Sequence, residues 1–161
     1  MEVLSSEIID AVNAQIGREL FNANQYLTIA SYFRDQALDN IAAAYQKESD
    51  GEREHAQKFI DFLVDFRGKI NIPSLDPPVN YFASAVDAAR AALSLELQTT
   101  EYIYSLVNLA QSQENHIFYN FMLWFIGEQQ EEIATANDRI DILSRNSSSL
   151  ELANIIFGES A

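Results

Sequence analysis

The stretch "GEREHAQKFI" at residues 51–60 sets Glu52 three positions before His55, one of 2 histidines in the chain, inside a run with helical apolar spacing. Residues at i and i+3 on a helix are neighbours, so this carboxylate and this imidazole can share one metal ion. Other polar residues interrupt apolar stripes in the same manner. Glu19 lies between Ile16 and Leu20, and Tyr26 follows seven residues later, close to two full turns along the same face. Glu96 breaks "LSLEL", and Gln129 and Glu132 make a further i, i+3 pair just after "LWFIG". Each element is weak alone. Glu-x-x-His on a helix is more often a surface pair than a ligand set, and a glutamate beside apolar residues is usually on a solvated rim. Four carboxylates in one bundle interior are different, because without cations among them they are driven to protonate at several kcal/mol each.

Composition restricts the chemistry further. The chain holds 24 acidic and 10 basic residues, a formal net charge of −14, and no cysteine. That excess argues against a nucleic acid backbone or an anionic membrane as partner, and fits either cations or solubility alone. Absence of cysteine excludes disulfides, thiolate metal sites and thiol catalysis, which leaves oxygen and imidazole as ligands. The start, "MEVLSSEIIDAVNAQ", is acidic and amphipathic, so it predicts neither a signal nor a transit peptide. The reading is an intracellular, cytoplasmic protein, with trimming of a longer organelle-bound precursor left open. No apolar run approaches the roughly 18 residues of a membrane span. "FYNFMLWFIG" is short and reads as core, Trp124 included.

Long helices must carry these residues. With 161 residues, 48% of them hydrophobic, the chain predicts a single domain over 1–161 with a sizeable core. Only 5 Gly and 3 Pro occur, too few to punctuate many short strands. Apolar periodicity predicts helices at about 6–35, 40–67, 84–113 and 116–145, and a short one at about 149–157. Asp39, Ser84 with Asp87, Asn115, and Ser148 with Glu151 read as N-terminal caps, and Gly68 as a C-terminal one. The third helix has an apolar stripe through Leu93, Leu97, Tyr104, Leu106 and Leu109. Helices of roughly 40–45 Å are too long for ordinary globular packing and indicate a four-helix bundle. Short turns make the first and second helices antiparallel, and likewise the third and fourth. The long connection "RGKINIPSLDPPVNYFAS" can run the length of the bundle and leave the second and third helices parallel.

The blocks "GRELFNANQYL", "ESDGEREHAQKF", "LSLELQTTEYIYSL" and "LWFIGEQQEEI" resemble those of non-haem ferritins, and the likeness spans nearly the whole chain. The resemblance implies an all-α, ferritin-like four-helix bundle with one long crossover and a short fifth C-terminal helix. It implies a homo-oligomeric shell of 24 subunits that takes Fe(II) and O2, oxidises the iron at a di-iron ferroxidase centre in each bundle, and stores the ferric mineral inside. Carried onto this chain, it makes Glu19 and His55 ligands of the first iron, Glu52 the bridge, and Glu96 and Glu132 ligands of the second. Gln129 becomes a hydrogen-bond partner near the centre. Tyr26 becomes a phenol that donates an electron during oxygen reduction, or else a buried, hydrogen-bonded tyrosine. A structural cage subunit or a metal-buffering bundle with little oxidase activity is the alternative.

Some positions depart from the resemblance. Gln129-x-x-Glu132 stands where bacterioferritins and rubrerythrins place a second Glu-x-x-His, and Arg53 stands where a bacterioferritin offers its haem-ligating methionine, so no haem is expected. Glu128 and Glu131 match two ligands of a third iron site, whose remaining acid position is Gly51 here. That predicts a weakened or absent third site and a more open path from the centre to the cavity. Among acids used for mineral nucleation, Glu54 is kept while Gln57 and Gly51 are neutral. Acids of the three-fold channels fall at Tyr119 and Met122, so an iron inlet cannot be carried over. Glu114 and His116 are candidates for it, or a solvated helix start.

Overall fold

A computed structural model describes residues 3–159 of the chain. Its elements are α1 (Ser6–Arg34), α2 (Asp39–Asp65), α3 (Ala85–Ser112), α4 (His116–Arg145) and the short α5 (Leu150–Glu159). Three of the long helices start on side-chain caps. Ser5 Oγ accepts from the Ile8 N–H, Ser84 Oγ from Asp87, and Asn115 Oδ1 from Phe118, each filling an otherwise orphaned donor.

The second helix is capped from elsewhere. Asp39 is its first residue rather than its cap, and Leu38, the cap position, has no side-chain oxygen to offer. Asn154 of α5 supplies one instead: its Oδ1 accepts the N–H groups of Asn40 and Ile41 at 2.9 and 3.0 Å. The anticipated Ser148 cap lies one residue too early, because α5 begins at Leu150 with the Ser149 carbonyl accepting from Leu152 and Ala153.

Helix ends α1, α2 and α3 share one closing motif. The N–H groups of Leu38, Gly68 and Asn115 reach back five residues to the carbonyls of Phe33, Leu63 and Ala110. The residue just before each is left-handed: Ala37 at φ 58°, Arg67 at φ 59° and Glu114 at φ 51°. Gly68 is therefore not the residue that takes the strained conformation; Arg67 is, at a cost of about 1–2 kcal/mol. Glu114 spends its position on this turn.

Contacts across the bundle fix the directions. Asn22 pairs with Thr99 and Tyr26 with Glu96, while Ser5 reaches Gln113, so α1 and α3 run antiparallel. Since α1 and α2 are joined by a tight turn, α2 is parallel to α3. The connection between them is tied along α1 at two points. Asn13 Nδ2 donates to the Lys69 carbonyl and Asn13 Oδ1 accepts from Asn71 N–H. Further along, Gln25 exchanges two hydrogen bonds with the Val79 backbone. Gly17 lies beneath Pro73, and a Cβ there would collide with the ring's Cγ.

Two apolar clusters fill the ends of the bundle. One is dominated by Phe59, Phe62, Phe118 and Phe125, with Phe59 and Phe125 stacked at 4.3 Å. The other joins Tyr26, Phe33 and Tyr45 to the alanines of α3 and to Phe157 of α5. The buried face of α3 is Ala88, Ala89, Ala92, Ile103, Leu106 and Ala110, so of the expected stripe Leu106 is buried, whereas Leu97 and Tyr104 are each 49% exposed. Small residues share that face with Ile103 and Leu106, while Leu93 and Leu109 are half-buried and Leu97 and Tyr104 face outward.

Candidate metal centre

Between the apolar clusters lies a polar layer to which all four long helices contribute. Glu19 comes from α1, Glu52 and His55 from α2, Glu96 from α3, and Gln129 and Glu132 from α4. All are buried except Glu132, which is partly so. Each follows from the helical registers: the apolar stripe continues above and below, and the carboxylate takes the inward position between. Ligand atoms of Glu19, Glu52 and His55 lie within 4.8 Å of one another, and those of His55, Glu128 and Glu132 form a second such group.

The hydrogen bonds define what each carboxylate oxygen faces. Tyr26 Oη donates to Glu96 Oε1 at 2.5 Å, and Gln129 Nε2 donates to Glu96 Oε2 at 3.1 Å. Gln129 also reaches Thr100 Oγ1 at 3.2 Å. Gln15 Nε2 donates to Glu19 Oε1 at 2.7 Å, while Glu19 Oε2 is buried without any hydrogen-bond partner. His55 Nδ1 is 3.3 Å from Glu52 Oε2 and 3.9 Å from Glu19 Oε2.

Burial and crowding push Glu52, Glu96 and Glu132 toward their neutral forms. Loss of solvation raises Glu52 well above the usual carboxylate range, and the neighbouring Glu19 and Glu96 charges add to it. Glu96 is raised chiefly by burial, with the hydrogen bonds from Tyr26 and Gln129 pulling the other way. Glu132 is pushed up to about 9 by burial and by Glu48, Glu96 and Glu128, with Arg139 opposing. Tyr26 is also raised, mainly by burial. An oxygen-rich pocket with an orphaned carboxylate oxygen and repelling charges suits hard cations, whose positive charge would offset the carboxylates.

The other anticipated residues divide. Glu128 sits at the rim, its Oε1 3.3 Å from His55 Nε2, whereas Glu131 and Glu54 are exposed and belong to neither group. A Cβ built on Gly51 meets nothing within 4 Å, so packing does not require glycine there. Glu114 and His116 are exposed, and Met122 is wholly buried in the phenylalanine cluster. Trp124 is not core. It is 44% exposed, with its ring edge-on to His55 at 5.6 Å and Lys58 Nζ over its face at 4.4 Å.

Four residues around the centre were not singled out from sequence. Gln15 holds Glu19 and is itself held by Arg18. Glu48 and Arg139 form an ion pair at 2.5 Å beside Glu132. The i−4 spacing of Gln15 to Glu19, and of Glu48 to Glu52, was the available signal.

The chain matches the Ferritin-like domain family over residues 9–146. It is 30% identical to a bacterial non-haem ferritin of Staphylococcus haemolyticus, covering 89% of this chain and 86% of that one. To ferritin BfrB of Mycolicibacterium smegmatis it is 33% identical, over 86% and 77% of the two chains. An open pore ferritin from the hyperthermophilic archaeon Archaeoglobus fulgidus superposes with a TM-score of 0.93 at 28% identity, covering 99% of this chain and 97% of that one. An all-α bundle with a carboxylate-histidine centre at its middle, matched along nearly its whole length by these proteins, belongs to the ferritin family, as a non-haem ferritin.

Proposed function

We propose that this ferritin oxidises Fe(II) with O2 at a di-iron centre inside each subunit and stores the ferric product in a shell of 24 copies. The observation that carries the reading is the convergence of four carboxylates and one imidazole from four helices on one buried layer, with Glu19 Oε2 left without a partner. Iron here is substrate and cargo. Glu19 and His55 hold the first ion, Glu52 bridges to the second, and Glu96 and Glu132 complete the second. Hard anionic oxygens stabilise Fe(III) over Fe(II), and so favour oxidation once iron is bound.

Each Fe(II) gives one electron to O2, which takes the pair to the peroxide level. In this reading Tyr26 gives a further electron to the peroxide-level oxygen, and the 2.5 Å hydrogen bond to Glu96 Oε1 supports it by offering the phenol proton an acceptor. Gln129 keeps the Glu96 carboxylate in its plane through two contacts, to Oε2 and to the backbone oxygen. Glu128 and Glu131, without an acid at Gly51, make at most a weak third site. Assembly as a homo-oligomer is supported by the half-exposed Leu97, Tyr104 and Ile155, which a lone subunit leaves in water. Among the described residues no helix is long and apolar enough to cross a membrane; a cytoplasmic location accompanies the proposal.

The test is anaerobic loading with two Fe(II) per subunit followed by rapid mixing with O2. A transient visible band that decays to a ferric band, lost in Glu52→Ala, is expected. Oxidation no faster than in buffer would leave a cage or metal-buffering subunit.

A further inference from the structure

We propose that Glu128 is a positioning residue: its carboxylate accepts the Nε2–H of His55, fixes the ring's tautomer, and so turns the Nδ1 lone pair toward the metal position beside Glu19 and Glu52. This rests on the reading of the centre given above. The two ring nitrogens face opposite carboxylates, Nδ1 toward Glu52 at 3.3 Å and Glu19 at 3.9 Å, Nε2 toward Glu128 at 3.3 Å. A neutral imidazole carries one N–H and one lone pair. The nitrogen beside Glu19 and Glu52 must be bare to bind a metal, which puts the proton on Nε2 with Glu128 as its acceptor.

The same proton removes Nε2 as a ligand. The group His55, Glu128 and Glu132 then offers a metal two carboxylates only, Gly51 adds none, and Glu131 stands apart in solvent. Glu128 is thereby freed from metal binding to serve the ring. Aromatic packing cannot do this alone. Trp124 and Phe125 meet the imidazole edge-on at 72° and 77° and hold its plane, but a half-turn about Cβ–Cγ keeps that plane while exchanging nitrogens for carbons. Glu128 distinguishes the two orientations, because only one presents it with an N–H.

Anaerobic Co(II) titration, followed by visible absorption, separates this role from metal ligation without relying on oxidation. The proteins compared are the unaltered chain, Glu128→Ala, Glu128→Gln and Glu52→Ala. Glutamine keeps a neutral oxygen able to accept Nε2–H, whereas it is a poor replacement for an anionic ligand. Expected is a first Co(II) bound about 10–100-fold more weakly in Glu128→Ala, and within about threefold of the unaltered protein in Glu128→Gln. Equal weakening in both variants would make Glu128 a metal ligand through its charge and overturn the inference. So would a Glu128→Ala protein that binds like the unaltered one. In both cases the centre itself stands; it fails, and this inference with it, if the unaltered protein binds Co(II) no more tightly than Glu52→Ala.

Discussion

Phe59 and Glu52 lie seven residues apart on α2, both withdrawn from water, one in the phenylalanine cluster and one among four carboxylates. Removing Phe59 from solvent stabilises the fold, since its ring stacks on Phe125 within an apolar cluster. The same withdrawal raises Glu52 toward its neutral form and costs folding free energy until a cation arrives. One layer contributes stability outright, and its neighbour holds a cost that metal binding offsets. In this bundle the apolar ends therefore support a polar layer that is unfavourable without a cation.

Substitutions in the two layers should act in opposite senses. Phe59→Ala is expected to lose about 3–5 kcal/mol in denaturant unfolding of the metal-free protein, and a loss near zero would break the contrast. Glu52→Gln is expected to gain about 1–2 kcal/mol in the same measurement while losing tight metal binding, because it relieves repulsion among buried acids.

A pH series sharpens the contrast without mutation. Glu132, pushed up to about 9, and the raised Glu52 and Glu96 hold more protons in the native state than in the unfolded chain. Stability without metal therefore falls as pH rises from the ordinary carboxylate range toward that value, and a lower thermal midpoint at about pH 8 than at about pH 5.5 is expected. With a divalent cation bound the trend should reverse, since ligands must lose protons to bind.

Smaller effects lie at the edges of the apolar layers. Tyr45 is wholly buried with its hydroxyl unpartnered, so Tyr45→Phe should be neutral or gain up to about 1 kcal/mol. Arg67→Gly, at a left-handed position, should gain about 0.5–1 kcal/mol in thermal unfolding. A loss in either would mean that a contact of that side chain outweighs the strain removed.

Much of the centre was legible before any coordinates. Glu52-x-x-His55, Glu19 beside Ile16 and Leu20, and Gln129-x-x-Glu132 interrupt clear helical stripes, and helical geometry alone places each pair on one face. The α3 stripe holds at Leu106 but not at Leu97 and Tyr104, because the buried face runs through alanines, which hydrophobicity alone undervalues. Trp124 was placed inside on size, yet it is 44% exposed and sets its ring edge-on to His55. Asn13, Gln25 and Asn154 carry no local signal, because the partners that tie down the crossover and cap α2 lie 54 or more positions away.

What the sequence determined by itself was periodic: helix type, the inward register of the acids, and the ligand chemistry left when cysteine is absent. Those properties depend on neighbours three or four residues apart, which a sequence displays directly. The tertiary structure decided which oxygen of each carboxylate is satisfied, which nitrogen of His55 faces which acid, and that α5 caps α2. Such outcomes depend on distances between helices, where a few tenths of an ångström separate a hydrogen bond from an orphaned atom, and no local spacing encodes them.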